Sequence, residues 1–374
     1  MMIKFSGKVG LVQRVLPKYR APFFNALGIA CEGGLGIFAG SPRPEEMIKS
    51  VSHLDHADLT HGKNLHIFKN GLYLCFQIGL MDWLTSLDPD VLIIEANPRY
   101  IRSQSAAHWM HKRDRPVIGW GLGAPSPSGL FKGFRVSRRR QIINQFDAMI
   151  TYSQAGASEY AQLGFPQENI FTAINAVTPP PAHPYPERPI RSAGEKSRVL
   201  FVGRLQERKN LENLIIACST LAPTLQPELV IVGDGPARSN LETLAADNFP
   251  NTIFTGALYN DALAAQFREA DIFVLPGTGG LAVQQAMSFG LPIIAAEADG
   301  TQEDLVRSEN GWQIPPDDIH ALTVTLQEAL SNIEGLREMG KESYRIVSEE
   351  VNLDQMVAVF IEALNRSISW HSIS

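Results

Sequence analysis

The residues best suited to chemistry in this sequence lie in its second half, around one arginine and one lysine. In the segment 198–215, RVLFVGRLQERKNLENLI, an apolar stretch leads to Gly203 and Arg204, and Lys209 follows directly before a predicted helix. Glycine lets a ligand approach the backbone, and two cations beside a helix N-terminus suit a diphosphate. The pair therefore indicates a phosphate-binding site, although two ordinary surface cations would produce the same pattern.

Two glycine-rich turns follow in the same half. The turn with Gly233 and Gly235, in LVIVGDGP, joins an apolar run to a helix that starts at a proline. In the second turn, Thr278, Gly279 and Gly280 lead from DIFVLP directly into a helix. Unpaired backbone amides at a helix start form an anion site when no side chain shields them. The second turn is therefore predicted to bind phosphate, whereas the first is common in α/β proteins.

The elements that must position these residues alternate between strand and helix along the whole chain. The strands are short, apolar and β-branched, as in parallel sheets covered on both faces. Predicted strands are 9–12, 36–39, 91–95, 116–120, 148–152, 198–202, 228–232, 252–255, 271–275 and 292–295, with helices between them such as 101–112, 154–163, 210–219, 236–246, 261–269 and 281–289. The pattern predicts an α/β protein with doubly wound sheets.

A proline-rich segment divides this alternation into two domains. Residues 178–197, beginning TPPPAHPYP, cannot continue a helix or a central strand. The sequence thus predicts an N-terminal Rossmann-like domain over 1–177, a linker over 178–197, and a C-terminal Rossmann-like domain over 198–352. A final amphipathic helix within 353–374 is expected to pack on the first domain.

Together, these motifs resemble the retaining glycosyltransferases of family 4. The matching features are VGRL with its lysine, VGDGP, FTGAL, READIFVLP, AMSFGLPIIA and a later Gly-x-x-Glu at 300–303. The resemblance implies a GT-B fold, in which two Rossmann-like domains face a cleft. It also implies that Arg204 and Lys209 hold the donor diphosphate as the catalytic residues. The other donor-binding residues that it implies are Gly203, Gly233, Gly235, Leu258, Thr278, Gly279, Gly280, Leu281, Ala282 and Gln285.

The sequence departs from the family pattern at two carboxylates. Members of the family usually have two glutamates around the glycine-rich turn, and Gly277 and Gln285 stand in their places. Gln285 can still bond ribose hydroxyls as a neutral amide, whereas only backbone is available at Gly277. A histidine common in the first domain is also absent from 119–123. The chain is therefore identified as a divergent member.

The resemblance implies transfer of a hexose from a nucleotide-diphosphate sugar, with retention of configuration. UDP is the favoured nucleotide, with UDP-glucose as one candidate donor, and the acceptor is expected to be a saccharide or lipid-linked saccharide of cell-surface glycan synthesis. No cofactor or metal is expected, because Asp88-Pro89-Asp90 is interpreted as a turn before a strand rather than a metal motif. Cations can stabilise the departing diphosphate electrostatically, and the leaving phosphate itself can take the acceptor proton.

The acceptor is expected at the first domain, where the first strand ends. Three cations and a tyrosine follow that strand, and a carboxylate and an amide end another strand of the same domain. These acceptor-side candidates are Arg14, Lys18, Tyr19, Arg20, Glu95 and Asn97. The cations suit a phosphate-bearing acceptor, or they are surface charges at a helix start. Residues 41–63 are interpreted as a flexible loop near the acceptor entrance, and the four histidines in 53–66 as loop residues.

Charge and composition limit the partners and the location. Residues 1–180 contain 19 Lys and Arg against 13 Asp and Glu, and the remainder contains 14 against 26. The basic segment from Lys132 to Arg140, with aromatic Phe134, can rest on an anionic membrane, or it is a solvated helix face. No nucleic-acid module is recognisable. Three cysteines without short paired spacing and no apolar run of signal-peptide length predict a cytoplasmic protein, and the basic segment would place it at the inner face of the plasma membrane.

Other function classes remain open to different degrees. The two missing glutamates allow a non-catalytic sugar-nucleotide or glycan-binding subunit. An epimerase would need well-placed acids, which the pattern does not show. A dinucleotide-dependent dehydrogenase is disfavoured, because neither half has G-x-G-x-x-G after its first strand.

Overall fold

The computed structural model describes residues 3–46, 48–68, 73–125, 132–188, 195–298 and 300–371. The chain divides into two compact units. The first contains residues 1–177 together with 353–374, and the second contains residues 178–352. Each unit is a sheet covered by helices, so the predicted α/β class with two Rossmann-like domains is confirmed.

The first unit is built on an eight-stranded sheet with the order β4-β3-β2-β1-β5-β6-β7-β8. Its strands are β1 (Val9–Val15), β2 (Leu35–Gly40), β3 (Asp58–Ile67), β4 (Leu74–Ile78), β5 (Val91–Glu95), β6 (Val117–Gly121), β7 (Ala148–Thr151) and β8 (Ile170–Thr172). All neighbours pair in parallel except β3 and β4. The apolar runs predicted as strands are buried, as the parallel arrangement requires.

Helices cover this sheet and close its core. They are α1 (Ala21–Ala30), α2 (Leu80–Leu87), α3 (Arg102–His111), α4 (Lys132–Ile143), α5 (Gln154–Gln162) and, from the end of the chain, α13 (Leu353–His371). Phe360 of α13 packs edge-on against Phe23 of α1 and Trp120 of β6, with ring centroids 5.0 and 4.9 Å apart. The final helix is therefore part of the first unit's core.

The interpretation of residues 41–63 as a loop is wrong at its C-terminal end. Strand β3 begins at Asp58, and His61 and His66 lie within it. Its side chains are exposed or half-buried rather than fully buried, so it has no apolar run to reveal it. It pairs in parallel with the more distant β2 from Asp58 to Gly62 and antiparallel with β4 from Lys63 to Ile67, and these pairings make it a strand.

The second unit has a six-stranded parallel sheet with the order β11-β10-β9-β12-β13-β14. Its strands are β9 (Arg198–Val202), β10 (Glu228–Val232), β11 (Thr252–Gly256), β12 (Ile272–Leu275), β13 (Ile293–Ala296) and β14 (Gly311–Ile314). Its helices are α6 (Leu211–Thr220), α7 (Arg238–Asn248), α8 (Asn260–Glu269), α9 (Leu281–Ser288), α10 (Thr301–Leu305), α11 (Ile319–Ser331) and α12 (Ile333–Glu349). The elements predicted here agree with these bounds to within about two residues, because most of the strands are apolar runs.

The start of the predicted linker packs on the second unit. Tyr185 donates a hydrogen bond to the Arg337 carbonyl and lies against Tyr344, with ring centroids 5.7 Å apart. Arg188 donates to carbonyls at the ends of α8 and α9, including those of Phe267 and Phe289 at 2.7 Å. A cation at helix C-termini satisfies carbonyls that have no partner within the helix. Residues 189–194 of the predicted linker lie outside the described residues.

Candidate functional site

The predicted donor residues lie at one edge of the second sheet. The chain runs outward from β9 through β10 to β11, and then returns to β12 on the other side of β9. The loops after β9 and β12 therefore diverge at the point where the strand order reverses, which is where open α/β sheets bind ligands. Arg204 and Lys209 lie in the first loop, and Thr278 to Gly280 in the second.

Lys209 connects these two loops. Only 9% of the residue is exposed, and its Nζ donates a hydrogen bond to the Thr278 carbonyl. The backbone of Gly279 has φ +135°, and a Cβ there would overlap Lys209 Nζ. Burial, with a further contribution from Arg208, lowers the pKa of Lys209 to about 8. The lysine is thus held against the glycine-rich turn and is still mostly protonated at pH 7.

At Gly277, the position of the first missing glutamate, backbone atoms of the neighbouring loop occupy the space of a side chain. A Cβ at this position would lie 2.7 Å from Lys209 Cα and would overlap the Arg208 carbonyl oxygen. The Thr278 N–H donates to that same carbonyl at 3.0 Å, so the two loops are joined through their backbones. No side chain fits at Gly277 unless the backbone of the first loop moves.

Two residues at this edge were missed by sequence reasoning. The Nη1 of Arg208 donates to Thr278 Oγ1 at 3.1 Å, which places a second cation beside the turn. The buried Gln302 donates from Nε2 to the Gly279 carbonyl at 2.9 Å. Arg208 is next to Lys209 in the sequence, and Gln302 lies inside the Gly-x-x-Glu motif, so the signal for both was proximity to a recognised motif.

Helix α9 begins at the same turn. Its N-cap is Gly280, and within the described chain no side chain caps the start. Leu281 and Ala282 form the first turn, and Gln285 lies half-buried one turn further along the helix. The positive end of the helix dipole and uncapped N–H groups are therefore directed at the turn that Lys209 and Arg208 contact.

Close backbone packing explains the glycines of the neighbouring loops. A Cβ at Gly233 would lie 2.9 Å from the carbonyl carbon of Gly203, and one at Gly235 would lie 2.8 Å from that of Leu205. The loops after β9 and β10 therefore require glycine in order to pack together. Leu258 follows β11, two strands away from β9. A role of these residues in donor binding stays a prediction.

The predicted acceptor residues lie at the corresponding edge of the first sheet. There the strand order reverses between β1 and β5. Arg14, Lys18, Tyr19 and Arg20 lie at or after the end of β1, and Glu95 and Asn97 lie at or after the end of β5. The structure brings Glu95 and Arg14 together, because a Glu95 carboxylate oxygen accepts the Arg14 backbone N–H.

The charges at this edge are largely engaged within the first unit. Arg14 Nη1 lies 3.0 Å from Glu46, and both side chains are less than one-fifth exposed. The Arg20 guanidinium lies over the rings of Tyr152 and Trp120, 5.0 and 5.5 Å from their centroids. Arg14 and Arg20 are therefore structural as well as basic, whereas Lys18 and Tyr19 are exposed.

Glu95 has an unusual environment. Burial raises its pKa to about 7, although the Arg14 N–H and the charges of Arg14 and Arg20 act in the opposite direction. Asn97 accepts the Arg99 N–H through Oδ1 at 3.0 Å and so stabilises the turn after β5. A carboxyl group that titrates near neutrality at the edge of a sheet is typical of functional sites.

The order of motifs in the second unit corresponds to a known family. The segment 187–346 matches the family model described as glycosyl transferases group 1. Residues 187–346 belong to the group 1 glycosyl transferases. The resemblance found in the sequence is thereby confirmed for this segment.

Curated relatives of the group 1 segment are similar over part of their length. Over 153 residues the chain is 33% identical to the sulfoquinovosyl transferase SQD2 of Arabidopsis thaliana, covering 39% of this chain and 29% of that protein. Over 120 residues it is 39% identical to the GDP-mannose-dependent alpha-mannosyltransferase of Mycolicibacterium smegmatis, covering 31% and 30%. The chain thus spans less than a third of the length of these two relatives.

The likeness to solved structures extends over both units. The Anabaena protein HepE in complex with UDP aligns with a TM-score of 0.67 at 15% identity, covering 96% of this chain and 99% of that one. Identity at this level shows a shared fold, and the predicted GT-B class is confirmed.

No helix among the described residues is long and apolar enough to cross a membrane. No group of three or more His, Cys, Asp and Glu side chains in the described ranges could hold a metal ion. Chemistry without a metal or cofactor stays a prediction.

Proposed function

We propose that this chain transfers a hexose from a nucleotide-diphosphate sugar to a saccharide or lipid-linked saccharide in cell-surface glycan synthesis. The observation that carries the proposal is the contact of Lys209 with the glycine-rich turn at the start of α9, where the second sheet reverses its strand order. The group 1 match of residues 187–346 supports the same assignment.

The chemistry follows from the charges at this edge. Breaking the bond between sugar and diphosphate leaves negative charge on the diphosphate, and fixed cations and helix amides stabilise that charge. Lys209 and Arg204 provide the cations, and the first turn of α9 provides the amides. We further propose that the configuration is retained and that the reaction needs no metal. The leaving phosphate takes the acceptor proton, so no protein base is required.

The nucleotide is proposed to be UDP, with UDP-glucose as the first donor to test. The UDP-bound HepE structure supports UDP, whereas relatives such as the mycobacterial mannosyltransferase are named for GDP-mannose. A thermal-shift panel with UDP-, GDP-, ADP- and TDP-sugars separates these possibilities. A donor at a hundredfold its dissociation constant stabilises the fold by about 2.7 kcal/mol. If none of them raises the melting temperature, the proposal fails.

A second candidate function is a non-catalytic subunit that binds a sugar nucleotide or a glycan. It is favoured by Gly277, where backbone occupies the space of a side chain. Release of nucleoside diphosphate by the purified protein, measured with and without saccharide acceptors, distinguishes the two functions. Binding of the donor without turnover would support the subunit.

Contact with an anionic membrane through α4 is part of the proposal. Phe134 is 68% exposed, and Arg138 is exposed on the same helix. Arg139 and Arg140 donate to the carbonyls of Pro125 and Leu163, so part of the basic segment is held within the unit. We expect co-sedimentation with phosphatidylglycerol vesicles and not with phosphatidylcholine vesicles, weakened by Phe134→Ser. This contact would place the protein at the cytoplasmic face of the plasma membrane.

A further inference from the structure

A cavity of about 270 Å³ opens beside the end of β5 in the first unit. Its polar lining includes Glu95, Asn97, Gln104, Arg138 and Gln145, and Ile142 and Phe146 contribute apolar surface. Small-molecule sites typically measure about 300–1,000 Å³. The cavity is therefore large enough for one small ring and too small for an extended oligosaccharide.

The polar groups of this lining have unused hydrogen-bonding capacity. Glu95 accepts the Arg14 N–H through Oε2, and within the described residues Oε1 accepts no hydrogen bond. Asn97 uses Oδ1 to accept the Arg99 N–H, and its Nδ2 donates to no described group. The side chains of Gln104 and Gln145 likewise have no described hydrogen-bond partner.

The carboxylate, the amides and the apolar side chains of the cavity together favour a ligand with several hydroxyl groups. A carboxylate oxygen accepts from hydroxyls, and amides both donate to and accept from them, so together they match several neighbouring hydroxyl groups. The apolar surface of Ile142 and Phe146 suits the C–H face of a sugar ring. A phosphate would meet the Glu95 carboxylate as well as Arg138, and an acyl chain would leave the three amides unpaired.

We propose that this cavity binds one neutral sugar residue of the acceptor, with Glu95 Oε1 accepting a hydrogen bond from a sugar hydroxyl and the amides bonding the neighbouring hydroxyls. The identity of the sugar as an acceptor rests on the proposed function, whereas binding of the sugar does not require the donor site.

The pH dependence of binding provides a signature. Burial raises the pKa of Glu95 to about 7, so the carboxylate form becomes dominant between pH 6 and pH 8. The titratable and charged groups around Glu95 are Arg14, Arg20, Cys75, Tyr100, Arg138 and Tyr152. Both oxygens of the ionised form accept hydrogen bonds, so sugar binding should strengthen as the pH rises through 7.

The test is saturation-transfer NMR on the full chain with the methyl α-glycosides of glucose, galactose, mannose and N-acetylglucosamine. We expect transfer to at least one probe, increasing at least twofold from pH 6 to pH 8. Glu95→Gln should abolish the pH dependence. Gln104→Ala, at an exposed residue of α3, should reduce the signal at least threefold.

A control variant tests whether the signal comes from this cavity. Gln162→Ala, at an exposed glutamine on α5, should leave sugar binding unchanged. Absence of transfer to all four probes, or equal transfer in wild type and Gln104→Ala, overturns the inference. Failure of nucleotide sugars to bind, with the sugar signal intact, overturns the proposed function alone.

Discussion

The two units place their candidate residues at the same topological position but arrange them differently. Each sheet reverses its strand order once, between β9 and β12 in the second unit and between β1 and β5 in the first. The second unit presents cations, glycines and an uncapped helix start. The first presents a half-buried carboxylate, Glu95, whose neighbouring arginines are engaged with Glu46 and with aromatic rings. A shared fold thus positions a site without determining its chemistry.

The largest expected effect is the loss of turnover when Lys209 of the second unit is replaced. Lys209→Met keeps the length of the side chain and removes the charge that stabilises a diphosphate. A hydrogen bond from a charged group contributes about 1.5–3 kcal/mol, so turnover should fall roughly 10- to 100-fold. Arg204→Ala should lower turnover at least tenfold. Steady-state kinetics with the best donor of the nucleotide panel measures both.

The control for that variant is Lys341→Met, at an exposed lysine of α12 that pairs with Glu338. It should leave turnover unchanged. If Lys209→Met turns over at nearly the wild-type rate, the lysine has no role in the mechanism. The contrast between a cationic site in the second unit and a carboxylate site in the first would then not hold.

Gly277→Glu restores the family glutamate and tests whether backbone fills its place. The new side chain must displace the Arg208–Lys209 backbone, so we expect a loss of about 1–3 kcal/mol in the free energy of unfolding, or roughly 2–12 °C in melting temperature. Gln285→Glu, at the half-buried second position, is the matched control and should change the melting temperature little. Equal melting temperatures for the two variants would show that the first loop adapts.

The affinity of the second unit for a nucleotide should depend on pH through Lys209. Because the pKa of Lys209 in the unliganded protein is lowered to about 8, the lysine is charged below that pH and becomes neutral above it. The affinity for the best-binding nucleoside diphosphate should therefore fall above pH 8, by up to about tenfold per pH unit. The terminal phosphate of the nucleotide has a pKa of about 6, so its charge does not change in this pH range.

Lys209→Arg provides the control for this prediction, because arginine stays charged across the range. Its affinity should be flat from pH 7.5 to 9.5 in isothermal titration calorimetry. A wild-type affinity that is equally flat would contradict the lowered pKa.

The smallest expected effect concerns the paired charges of the first unit. Although burial opposes the shift, hydrogen bonds from Arg14 and Arg43 lower the pKa of Glu46. The stabilisation is therefore present above the unfolded-state pKa, about 4.3, and is lost as the pH falls through the lower folded value. Glu46→Gln should cost about 1 kcal/mol at pH 7.

Urea unfolding followed by tryptophan fluorescence measures this loss. Glu45→Gln is the matched control, since Glu45 is 62% exposed and lies 3.7 Å from Arg43. If the two variants lose the same stability, the Arg14–Glu46 pair contributes nothing specific, and Arg14 is available for an acceptor after all.

Sequence patterns predicted the second unit more completely than the first. Most of its strands are apolar runs, and its turns contain glycines that backbone packing requires, as at Gly233 and Gly235. Strand β3 has no such run, because its side chains are exposed or half-buried, and only its pairing with β2 and β4 makes it a strand. The predicted strands therefore depended on local composition, and β3 depended on contacts between distant residues.

The sequence by itself determined that the chain has two α/β halves, that a cationic loop and a glycine-rich helix start occur in the second, and that the glutamate expected at 277 is absent. These features are local, because propensity, periodicity and turn chemistry act over a few residues. Only the tertiary structure decided that Lys209 lies on Gly279, that backbone occupies the space beside Gly277, and that Glu95 is buried enough to titrate near neutrality. Each of these depends on which loops the sheet order brings together, and that order is set by the packing of whole elements.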